Sequence, residues 1–140
     1  MRGRPAHIIF MPFTFSPAED IKNRIEKILF LFSETKAIDP GRITCFRSYG
    51  SKSRAVARIW ALPSIWQSAL SVPPQYLIEV VSEKYDKLDE TEKTKVLIHE
   101  LLHIPNKFSG GLVPHRCFGK RIDRRRVDEI YRKFLKEEIL

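Results

Sequence analysis

Histidine offers a neutral nitrogen ligand near pH 7, and the chain has four histidines, His7, His99, His103 and His115. Two of them close the run His99-Glu100-Leu101-Leu102-His103 and stand four residues apart. If that run is helical, both imidazoles leave one face about one turn apart and can grip a single ion. Glu100 then lies about 100° round the helix from His99, flanking the pair without competing for the metal. From there it can take a proton from water, which makes it the candidate general base. The pattern is HExxH, which binds zinc through its two histidines and uses its glutamate in peptide hydrolysis. An open catalytic site needs a third protein ligand. His115, twelve residues beyond His103, is the preferred one, because Gly110 and Gly111 let the loop turn back and nitrogen suits zinc. Asp123, Asp128 and Glu129 are the alternatives, since HExxH hydrolases also draw a carboxylate from a later helix. The extended metzincin motif is excluded, because Asn106 and Ser109 occupy its glycine and histidine places. His7 has no motif around it, and Cys117 reads as a buried or redox-active thiol rather than a ligand.

Three neutral imidazoles leave an ion doubly charged with an open position, able to lower the pKa of water to about 7 and polarise a carbonyl. The expected chemistry is peptide hydrolysis, with Glu100 passing its proton to the leaving amine. Tyr76, Tyr85, Arg116 and Tyr131 are unranked candidates for stabilising the oxyanion.

The element that must carry the motif spans KLDETEKTKVLIHELLHIP, with Asp89 as N-cap, Glu92 three residues on and Pro105 ending the helix. Leu97, Ile98 and Leu101 point away from the histidines and should anchor it in the core. Ahead of it, residues 16 to 36 read as an amphipathic helix. Ser16 is its expected cap and Pro17 its first-turn proline, with Ile21, Ile25, Ile28, Leu29 and Phe32 on one face. Asp39, Pro40 and Gly41 predict a turn, followed by strands over 42–50, 54–62 and 76–82, with Pro63 interrupting the second. Either 55–61 or 76–81 could add an extended peptide at a sheet edge. A last helix from about Asp123 should bury Val127, Ile130, Tyr131, Phe134 and Leu135.

Composition bounds the rest. A chain of 140 residues with 43% hydrophobic content suits one domain with its own core, and we expect residues 1–140 to form it. Two cysteines, Cys45 and Cys117, are too few for a disulfide framework. No apolar run is long enough to span a bilayer, and Pro5 and Pro12 break up the N-terminal segment. The expected location is therefore cytoplasmic, without membrane contact, and nothing in the sequence specifies an oligomeric state. The net charge of +8 favours acidic partners. Lys120, Arg121, Arg124, Arg125 and Arg126 follow His115 and could hold a DNA backbone, or simply form a solvated helix start. Trp60 and Trp66 could stack on bases, although core packing is the expected use.

The run VLIHELLHIPNKFSGGLVPHRCF resembles the archaeal and phage metallopeptidases, a zincin-like group in which HELLHIP is followed by a glycine-containing loop and another histidine. ARIWALPSIWQ and YLIEV extend the resemblance over most of residues 42 to 120. More distantly, HELLH with His115 and Phe118 is similar to the motif of SprT-like proteases, which act on proteins crosslinked to DNA. Here Arg116 replaces their usual glycine, and no zinc ribbon is present. The resemblance implies an α+β, zincin-like fold whose small, mostly antiparallel sheet packs on the N-terminal and motif helices. It also implies a zinc peptidase acting on protein or peptide substrates. Two rivals remain: a latent or regulatory zinc protein with a plugged cleft, and a basic nucleic-acid-binding module with DNA-associated proteolysis.

Overall fold

A computed structural model describes residues 13–31, 38–117 and 120–139. His7, Phe32, Phe118, Pro5 and Pro12 lie outside the described residues. The fold is α+β. Strand β1 (Thr14–Pro17) leads into helix α1 (Glu19–Leu31), and a 3-10 turn at Pro40–Arg42 into β2 (Ile43–Tyr49). Then come β3 (Ala57–Ala61), α2 (Ser64–Leu70), β4 (Tyr76–Val81), the one-turn α3 (Ser82–Tyr85) and α4 (Glu90–Leu102). A two-residue hairpin, β5 (Arg116–Cys117) and β6 (Lys120–Arg121), precedes α5 (Arg124–Ile139).

The main sheet has the order β1-β2-β4-β3. Only β2 and β4 run parallel, with Ile43 opposite Tyr76, while β1 with β2 and β3 with β4 are antiparallel. Tyr76, Ile78 and Val80 of β4 are buried, as are Ile21, Ile25 and Ile28 of α1, Leu97, Ile98 and Leu101 of α4, and Val127, Ile130 and Phe134 of α5. These apolar stripes meet as one core, each large aliphatic side chain contributing about 1.5–3 kcal/mol of transfer free energy.

Three expectations are corrected. Ser16 and Pro17 do not start the first helix. They end β1, opposite Arg47 and Phe46, and the Ala18 amide still donates to the Cys45 carbonyl at 2.9 Å. Pairing with β2 outcompetes the local capping signal, and Pro17 is tolerated because β1 is an edge strand. Leu135 does not join the core, being 39% exposed. Trp60 and Trp66 are both more than half exposed, at 51% and 54%. The Trp60 indole N–H instead donates to the carboxylate of buried Glu79 at 3.0 Å, while Arg58 bonds the other oxygen at 2.9 Å.

The α2 helix was not anticipated. None of its residues is buried, so it lacks the apolar periodicity that marks a helix in sequence, and Pro63, which stops β3, precedes its first turn.

Candidate metal centre

Helix α4 is built by local rules. The Asp89 carboxylate accepts from the Glu92 amide at 2.8 Å, and Glu90 and Glu92 place negative charge in the first turn, where the helix dipole favours it. With Leu97, Ile98 and Leu101 buried on the core side, His99, Glu100 and His103 face a cleft. The last turn tightens. His103 and Ile104 amides donate three residues back, to Glu100 and Leu101 carbonyls at 3.1 Å each, so His103 sits at the C-cap.

From there the chain turns and comes back. The Val113 amide donates to the His103 carbonyl at 2.7 Å, and the Ile122 amide to the His115 carbonyl at 2.7 Å. This return brings His115 over the helix. Its Nε2 lies 3.1 Å from Nε2 of His99, which is 3.4 Å from Nε2 of His103. Nitrogens bound at 2.0–2.1 Å around a tetrahedral zinc would be roughly 3.3 Å apart. The donor set therefore fits one such ion.

Protonation fits as well. His103 Nδ1 lies 2.5 Å from the Val113 carbonyl oxygen. A neutral ring must donate its proton there, which leaves the Nε2 lone pair directed at the cluster. Burial, reinforced by the neighbouring His103 and His115 rings, pushes His99 down to about 4. Burial also lowers His103, with the Val113 contact opposing and His115 assisting. Burial alone pushes the Glu100 carboxyl up to about 7.

The cleft holds about 750 Å3. One wall is β3, an edge strand of the sheet, whose outer edge pairs with no strand among the described residues. Because β4 is flanked on both sides, only the first of the two segments considered for peptide pairing, 55–61, has an edge to offer.

Among the described residues, the group whose ligand atoms all lie within 4.8 Å of one another comprises His99, His103 and His115. The alternative third ligands have other partners, although Asp128 also lines the cleft. Asp123 caps α5 by accepting from the Arg126 amide at 3.0 Å; Asp128 pairs with Lys95 at 3.0 Å and Glu129 with Arg125 at 3.5 Å. The tyrosines considered for the oxyanion are also committed. Tyr76 bonds Gly110 and Gly111, Tyr85 bonds the Lys93 carbonyl, and Tyr131 bonds Thr91. In the basic cluster, Arg124 lines the cleft with its side chain 72% exposed and 3.3 Å from Glu92. The role of Val113 was not legible in the sequence, because it acts through backbone atoms that every residue type supplies.

Fold and site together define an α+β protein with three histidines able to hold a metal beside a buried carboxyl. The sequence model of one family matches residues 13–136, and the chain belongs to that family, described as "Putative phage metallopeptidase". No curated protein and no solved structure matches the chain. The family implies a metal and peptide substrates. Among the described residues no helix is long and apolar enough to cross a membrane.

Proposed function

We propose that this protein is a zinc-dependent metallopeptidase, its residues 1–140 forming one zincin-like domain, with His99, His103 and His115 as metal ligands and Glu100 as general base. The observation that carries the reading is the pair of Nε2 separations, 3.1 and 3.4 Å, at a cleft that also receives Glu100. When bound, the ion supplies Lewis acidity and lowers the pKa of water. The protein supplies the rest. The free edge of β3 orients an extended peptide by backbone pairing across the cleft. His103, fixed by Val113, and His99, kept neutral by burial, hold their lone pairs inward. Glu100 accepts the proton of the attacking water and returns it to the leaving nitrogen, and a carboxyl near neutrality suits both transfers.

Zinc is preferred over other divalent ions because three imidazoles with an open fourth position form one of its catalytic ligand sets. A second reading, proteolysis associated with DNA, draws on the exposure of Arg124 at the cleft rim. In it the basic run from Lys120 to Arg126 tracks a phosphate backbone.

Casein hydrolysis by the zinc-loaded protein, with and without single-stranded DNA, tests both. Glu100→Gln should retain metal and lose about 10²–10⁴-fold in rate, the usual contribution of a general base. Equal hydrolysis by both forms would remove Glu100 from the chemistry, and stimulation by DNA would favour the second reading.

A further inference from the structure

The loop that returns His115 to α4 is not held by the histidines alone. The Tyr76 hydroxyl donates to the Gly111 carbonyl at 2.8 Å and accepts from the Gly110 amide at 2.9 Å. Tyr76 is 2% exposed, and its ring meets buried Phe108 edge to face at 5.0 Å between centroids. Phe108 itself has φ of 52°, a strained conformation for a non-glycine residue that persists only where packing enforces it. Arg42 covers the Phe108 ring at 5.4 Å. Gly110 has φ of 96°, and a Cβ placed there would come within 2.8 Å of Gln67 Nε2. Phe108, Gly110 and Gly111 are thus all held by Tyr76 of β4, immediately before Val113 and His115.

Resting on the metal-site reading above, we infer that Tyr76 is a positioning residue for the metal ligands. Its hydroxyl satisfies one amide and one carbonyl of the glycine turn, groups that would otherwise leave the turn free to shift. A fixed turn places the Val113 carbonyl on His103 Nδ1 and delivers His115 to the position where its Nε2 meets that of His99. Tyr76 touches neither metal nor substrate. It acts by lowering the number of loop conformations that must be lost when the three ligands converge on an ion.

The test is zinc affinity, measured by competition with a chromophoric chelator, on the full chain. Tyr76→Phe keeps the ring against Phe108 and removes only the hydroxyl, and should weaken zinc about 10-fold, the range seen when outer-shell partners are lost. Tyr85→Phe is the control. Tyr85 is equally buried, but its hydroxyl bonds the Lys93 carbonyl away from the loop, so its removal should leave zinc affinity within about twofold. Gly110→Ala attacks the same turn from the Gln67 side and should weaken zinc even if Tyr76→Phe does not fold. The Gly110 amide should also exchange with solvent faster in Tyr76→Phe. Unchanged affinity in Tyr76→Phe beside a tightly binding parent, or equal losses in both tyrosine variants, would overturn the inference alone. A parent that binds no zinc would overturn the metal-site reading and this inference with it.

Discussion

Glu100 is 9% exposed on the cleft side of α4, and burial has raised its pKa from 4.5 to about 7. A carboxyl raised in this way keeps its proton in the folded state after the unfolded chain has lost it. Stability therefore falls as pH rises from about 4.5 and stops falling above about 7. Glu100→Gln removes that titration. With metal stripped from both forms by chelator, the stability advantage of Glu100→Gln over the parent should grow across this window by up to about 3 kcal/mol. The depressed His99 acts in the opposite sense, adding stability as pH rises between about 4 and 6.5, but it is common to both proteins and cancels in the difference. Urea unfolding of both at about pH 5 and pH 8 measures the effect, and a difference independent of pH would refute the burial argument. Spacing and residue type made this part of the molecule the most readable. The i, i+4 relation of His99 and His103 is local, and with four histidines in the chain few partners for them exist. Tyr76 gave no such signal, because its partners Gly110 and Gly111 lie 34 and 35 residues away and use backbone atoms.

Helix α4 couples the site to the core, its inner face gripped while its outer face carries the histidines. Leu97 is fully buried between the sheet and the other helices, so Leu97→Ala should cost about 2–5 kcal/mol, as cavities in packed cores do. Leu135→Ala on α5, where the side chain is 39% exposed, should cost less than about 1 kcal/mol. Thermal or denaturant unfolding of the pair decides whether α5 is seated as described. Similar losses at both positions would contradict it. At this scale the sequence was informative where an element buries one face and silent where it does not. The start of α4 at Asp89 and the strands around Ile43–Tyr49 and Tyr76–Val81 follow from capping chemistry and β-branched content. The wholly unburied α2 has no periodicity to detect, and the Ser16 signal failed because β2, where Arg47 stands opposite Ser16, competes for the same backbone.

The whole molecule sets what the elements alone do not. Strand order is non-local, so nothing in the alternation of β3 announces that it lies at the sheet's edge beside the cleft while β4 lies inside. Salt links tie distant parts of the chain together. Arg47 of β2 bonds Asp20 of α1 at 2.6 Å and Asp86 after α3 at 2.5 Å, lowering both carboxyls and fixing how α1 meets the sheet. The histidine cluster is itself a tertiary feature. His99 and His103 come from one helix, and His115 arrives through a loop that Tyr76 of the sheet bonds at Gly110 and Gly111. A bound ion would close that loop and add its binding free energy to folding. The measurement that tests this account most directly is the zinc stoichiometry and affinity of the parent chain against His115→Ala. One tightly held zinc per parent chain, raising its Tm, with affinity lost by more than about 100-fold in His115→Ala, is the predicted result. Zinc held as tightly without His115, or not held by the parent at all, would contradict it.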